Sequence, residues 1–261
     1  MKSSNGIGRR SLLGMVFLLL ILGAGCDIFP AEQNIRKTLF IGVDASGSFK
    51  RSGHYDNALK FLAHYIYGHL NGVGGLAKSQ ALFVGSVGGK KHNEPKTFHP
   101  IHDFKGKNIE QIEENLRTWF TPDDPLTDFN SFFEEVARIT KERNLILAPI
   151  TMMVVSDGIP DFAKTSAAKG PKKSLYTQIN LKPLEYLSRN ITLRLTYVSP
   201  TVGKHWRTQV ARKRVQLWTV DAGVMKRWPD YIQEGVDVAR QDRFWEWLKD
   251  NVDFKVRARK V

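Results

Sequence analysis

The sequence predicts an α/β fold: a doubly wound, mostly parallel central sheet with one antiparallel strand and helices on both faces. Three observations lead there. Short apolar runs rich in β-branched and aromatic residues alternate with longer segments of helical period from Lys37 onward. One run, Ile150 to Val155, is apolar without a break, as expected of a central strand covered on both faces. Strands that alternate with helices pair in parallel through crossovers, which places helices on both sides of the sheet.

The elements follow in order. Lys37 to Val43 reads as a buried strand ending at Asp44. His54 to Leu70 carries Leu59, Leu62, Ala63, Ile66 and Leu70 at helical spacing. Gln80 to Val87 is a second strand; Gly88-Gly89-Lys90-Lys91 begins a turn, and Lys96 to Ile101 returns antiparallel. Asn108 to Phe120 and Asp128 to Thr140 are amphipathic helices, and Asp128 is expected to stabilise the start of the second. Ile150 to Val155 is a strand, Leu181 to Ser188 is expected to be helical, and Ile191 to Val198 and Arg214 to Val220 are the last strands. Gln241 to Asn251 closes the chain as a helix with Phe244, Trp247 and Leu248 facing inward. Lys204-His205-Trp206-Arg207, just past a strand, is a candidate rim of a site.

The 261 residues include 42% hydrophobic ones, enough to bury a substantial core, and the formal net charge of +13 favours acidic partners. The N-terminus reads as a targeting segment. Lys2, Arg9 and Arg10 precede an uncharged apolar run from Ser11 to Leu22, too short to span a bilayer comfortably. Gly23, Ala24 and Gly25 then lead to Cys26, the only cysteine. This small-small-Cys junction resembles a bacterial lipoprotein signal, although Leu22 lies one position further from the cysteine than is usual. The resemblance implies cleavage after residue 25, lipidation of Cys26 and a tether over 26–36. Asp27 resembles an inner-membrane retention signal, so the expected location is exported and lipid-anchored, on the periplasmic face of the inner membrane. The lone cysteine agrees, since an exported chain with one Cys forms no internal disulfide.

In doubly wound sheets, ligands bind beyond the carboxyl ends of the strands. Two strand ends carry polar clusters. Asp44-Ala45-Ser46-Gly47-Ser48 offers one carboxylate and two hydroxyls on a tight loop, and Ser156-Asp157-Gly158 offers a second carboxylate. Thr127, just before a helix, can cap it or ligate a cation. Every donor is an oxygen, which suits hard cations such as Mg²⁺ or Mn²⁺, with Ca²⁺ less favoured. An Asx turn at Asp44 and a plain turn at Asp157 are the structural alternatives, and Asp161 reads as a turn residue.

The D-x-S-x-S loop, the later Thr and the strand-ending Asp-Gly resemble the metal-ion-dependent adhesion site (MIDAS) of the von Willebrand factor type A (VWA) family, over about Lys37 to Val252 within a domain of residues 37–261. The resemblance implies a central first strand and an antiparallel strand near an edge. It further implies Ser46 and Ser48 as direct ligands, Thr127 as a direct or water-mediated one, and Asp44 and Asp157 acting mostly through water. The function implied is binding: the ion keeps an open position that an Asp or Glu of a protein partner fills. A second reading is a basic surface protein for nucleic acid or anionic glycan, nucleic acid being the less favoured partner. A third is a metal-dependent hydrolase, against which stands the lack of any G-x-S-x-G or H-E-x-x-H motif; the chain is expected not to be an enzyme. The histidines lack metal-site spacing, His64 and His69 being five apart on one helix.

Overall fold

The structure is a computed structural model that describes residues 37–162 and 174–254. The signal, Cys26, the tether and the basic tail from Lys255 lie outside the described residues. The strands are β1 (Thr38–Val43), β2 (Ala81–Ser86), β3 (Gly88–Gly89), β4 (Phe98–Pro100), β5 (Leu126–Thr127), β6 (Ile150–Val155), β7 (Ile191–Val198) and β8 (Val215–Asp221). The helices are α1 (Gly47–Arg51), α2 (Tyr55–Asn71), α3 (Ile109–Trp119), α4 (Phe129–Glu142), α5 (Pro200–Gln209), α6 (Ala222–Met225) and α7 (Asp242–Asn251).

Six strands form one sheet in the order β4-β2-β1-β6-β7-β8, with β4 antiparallel at one edge and all other pairings parallel. The expected architecture is therefore observed. Side chains alternate across β1, so Leu39, Ile41 and Val43 face one core and Phe40 the other. The first core packs beneath α2, α3 and α7; the second lies under α4 and α5 and is rich in phenylalanine, with Phe129, Phe132 and Phe133 on α4. Among the described residues, both cores are drawn from residues 39–252. No described helix is long and apolar enough to cross a membrane.

Local chemistry sets the helix starts. Asn108 and Gln111 form a reciprocal capping box on α3. Asp128 caps α4 by accepting from the Ser131 N–H, as expected for that residue. Ser199 caps α5, with Pro200 at the first helical position, where its missing N–H costs nothing.

One expectation is corrected. Leu181 to Ser188 is a run of turns, not a helix. Pro183 has no N–H to donate, and the bonds that form span three residues, Leu184 N–H to Leu181 O and Leu187 N–H to Leu184 O. The buried leucines repeat every three residues, which matches that tighter winding rather than 3.6. Lys204-His205-Trp206-Arg207 lies on α5, a helix that was not anticipated: Trp206 is wholly buried, and Arg207 lines a cavity with Val198 and Asp221 at the ends of β7 and β8.

Candidate metal site at the strand ends

Parallel pairing aligns the ends of β1 and β6: Val43 lies opposite Val155, and the Asp44 N–H donates to Val155 O at 3.0 Å. Asp44 and Ser156 thus leave adjacent strands side by side. Asp44 is 0% exposed. Its Oδ1 accepts from the Ser46 N–H at 3.0 Å and the Thr127 hydroxyl at 3.5 Å, and its Oδ2 accepts from the Ser156 hydroxyl at 2.5 Å. The first of these bonds is the Asx turn weighed from sequence. It coexists with the cluster and helps to build it.

Ser46 is extended and caps α1, accepting from the Phe49 N–H at 3.3 Å; α1 is thereby fixed to the loop. The Ser46 and Ser48 hydroxyl oxygens lie 3.0 Å apart. Thr127 does not cap α4, since Asp128 does so; instead it sits on β5, which pairs with β3 through Gly88. That pairing, with Asp161 accepting from the Thr127 N–H at 3.1 Å and donating its own N–H to Thr127 O at 2.9 Å, aims the hydroxyl at Asp44. Asp161 is a clamp rather than a simple turn residue.

Asp157 is half-buried and accepts from the Ile159 N–H at 3.0 Å. Its loop is pinned from below: Gly158 has φ +76°, and its carbonyl accepts from Trp206 Nε1 at 2.8 Å. All five expected residues thus converge at one end of the sheet. Sequence reading missed the support around them: Ser156 bridges Asp44 and the Gly158 N–H, and Asp124 exchanges backbone bonds with Ala45 and Gly47. The hydroxyl directly before the strand-ending Asp157 was the available signal for Ser156; nothing local marked Asp124.

The electrostatics favour a cation. Burial raises the Asp44 carboxyl from 3.8 to about 6, opposed by its hydrogen bond from Ser156 and helped by repulsion from Asp157. Burial likewise raises Asp157, with Asp161 adding repulsion, while the Ile159 N–H, Ser48 and Arg51 lower it. No basic side chain bonds to Asp44; its donors are neutral. Among the described residues, no group of three or more His, Cys, Asp or Glu is placed to hold a metal, so this donor set is two carboxylates and three hydroxyls. Such a set fits a hard divalent ion, and lacks the nitrogen and sulfur ligands typical of structural zinc.

No family model and no curated protein matches the chain. Solved structures resemble it coarsely. Proximal thread matrix protein 1 from the mussel byssus superposes with TM-score 0.43 at 13% identity, over 74% of this chain and 46% of that one. The same protein with a zinc-occupied MIDAS motif gives 0.43 at 12% over the same shares. The human COPII-coat protein Sec24c gives 0.41 at 8%, over 74% and 31%. The chain spans less than half the length of each.

Proposed function

We propose that this chain is a VWA-type binding module that holds a divalent cation, Mg²⁺ or Mn²⁺, through Asp44, Ser46, Ser48, Thr127 and Asp157. The observation that carries the reading is the buried Asp44 carboxylate, surrounded by hydroxyls that belong to three separate segments of chain and bonded to no basic group. A bound cation would supply a coordination position open to a partner's Asp or Glu. The protein's own residues do the rest. Asp44 orients the Ser46 amide and the Thr127 and Ser156 hydroxyls, Ser46 and Ser48 present adjacent oxygens, and the basic surface steers an acidic protein partner. No residue is assigned a role in turnover. The chain would act outside the cytoplasm, anchored to a membrane through lipidated Cys26.

The test is a thermal melt of the fragment from Asp27, with Mg²⁺ or Mn²⁺ against chelator, beside a Ser46→Ala/Ser48→Ala variant. A ligand of the native state raises Tm by mass action, so millimolar metal raises the parent by a few degrees and the variant not at all. Equal melts of the parent with metal and with chelator would overturn the assignment.

A further inference from the structure

The parallel register places the starts of five strands in one row: Thr38, Ala81, Ile150, Ile191 and Val215 are mutual neighbours across the sheet. The segments that enter those strands therefore share one pole, opposite the candidate metal site. Among the large apolar side chains of the described residues, the two most exposed are both on this pole: Leu147 at 77% and Tyr186 at 74%, with Ile146 beside them also exposed. Their two loops are tied by the Leu147 N–H donating to Leu187 O at 2.9 Å. Leu147 holds φ +75°, a conformation that costs free energy for any side chain bearing a Cβ. A strained backbone that presents a leucine to solvent serves no packing purpose.

Around these apolar tips lie exposed cations: Arg143, Lys182, Arg189, Arg212, Lys213 and Arg214. Arg214 stacks over the Tyr186 ring at 5.4 Å. Three acids nearby are already engaged. Glu185 is buried and accepts from the Lys213 N–H, Glu142 pairs with Arg138, and Asp253 pairs with Lys37 and Arg194. Asp253 also brings the end of the described chain beside Lys37, and the next residues in sequence include Lys255, Arg257, Arg259 and Lys260.

We propose that this pole is a docking surface for an anionic lipid bilayer. Charge complementarity is one argument. The other is where the chain enters: residues 1–36 join β1 at this pole, and Cys26 stands twelve positions before Thr38, a reach of at most about 40 Å. An anchor of that reach keeps the pole near the membrane, where basic side chains meet anionic headgroups and Leu147, Ile146 and Tyr186 enter the interfacial region. The metal site then faces away from the bilayer, toward partners. The inference rests on the anchor reading of residues 1–36 and is independent of metal binding.

The experiment is co-sedimentation of the fragment from Asp27 with phosphatidylcholine vesicles, with and without about 30% phosphatidylglycerol, in low and high salt. Binding to the anionic vesicles alone, lost in high salt, is expected. Arg212→Glu/Lys213→Glu/Arg214→Glu weakens it on the order of 100-fold, at roughly fivefold per basic residue. Lys204→Glu/Lys226→Glu/Arg227→Glu makes the same charge change away from this pole and leaves binding within about threefold. Leu147→Asn, which tolerates the left-handed backbone, keeps Tm and weakens binding several-fold. No preference for anionic vesicles, or equal loss from both charge-reversal variants, would overturn the proposal. Full-length chain that floats with neutral vesicles in high salt would uphold the anchor in either case, so the two readings fail separately.

Discussion

Asp44 is a charge placed where a charge is costly. A carboxyl raised from 3.8 to about 6 by burial lowers stability by about 3 kcal/mol at pH 7 when nothing compensates it. Asp44→Asn removes that charge while keeping an acceptor for the Ser46 N–H and the Thr127 hydroxyl, at the cost of the bond from Ser156. Chemical denaturation in chelator should find it more stable than the parent by about 2 kcal/mol, after allowing about 1 kcal/mol for that lost bond. In millimolar metal the difference should shrink, because only the parent gains binding energy. A variant less stable than the parent in chelator would mean that the carboxylate is compensated by something other than a cation. Gly158 makes a second test at this scale. Its φ is +76°, and a Cβ there would lie 2.8 Å from Val198 Cγ1 and 2.9 Å from Val202 Cγ1. Gly158→Ala should cost about 2–4 kcal/mol in a urea melt and weaken metal binding, because Asp157 moves with the loop.

At the scale of elements, α5 supports the site without touching it. Trp206 Nε1 donates to the Gly158 carbonyl, and its ring packs edge-on against Phe129 of α4. Trp206→Phe keeps most of the packing and leaves that carbonyl without its donor. The expected cost is about 1–3 kcal/mol in stability, with weaker metal binding by titration calorimetry. Most elements were legible because periodicity and burial agree in them: β1, β6 and β7 are continuous apolar runs, and α4 shows one phenylalanine-rich face. The site residues were legible for a related reason, since Asp44 and Asp157 each end an unmistakable strand. Where local pattern and tertiary context separate, sequence reading failed. Leu181, Leu184 and Leu187 repeat with a period of three that resembles a helix until Pro183 is weighed. In α5, only Trp206 and Gly203 are buried, too weak a stripe to stand out. Asp124 and Asp161 act through backbone geometry, which no spacing announces.

For the whole molecule, stability against pH reflects opposed groups. His69 is buried; its Nδ1 lies 2.9 Å from the Ala77 carbonyl, so that nitrogen carries the proton, and burial with the nearby charge of Lys37 lowers its pKa from 6.5 to about 4. A lowered histidine contributes stability that is full above pH 6.5 and lost as pH falls towards 4, about 3 kcal/mol in all. Asp44, being raised, works in the opposite sense: its cost is relieved as pH falls from about 6 towards 3.8. In chelator the two largely cancel between pH 6 and 4. A bound cation keeps Asp44 ionised and removes its share, so metal-loaded protein should lose stability more steeply over that window. Denaturation midpoints at four or five pH values, with metal and with chelator, measure the difference directly.

The strand order also carries a kinetic consequence. β1 is third in the sheet yet first in the chain, and its contacts at the site reach far ahead: Thr127 meets Asp44 across 83 positions and Ser156 across 112. During synthesis one edge of the first strand can pair with β2, but the other waits for β6, until residue 155 exists. Closing loops of that length is slow, and sheets built from such distant pairs fold late. The candidate cation site is thus among the last features to form and cannot nucleate folding. Stopped-flow refolding should show a rate unchanged by metal and an unfolding rate slowed by it, which would make the ion a lock on the finished sheet rather than a template for it.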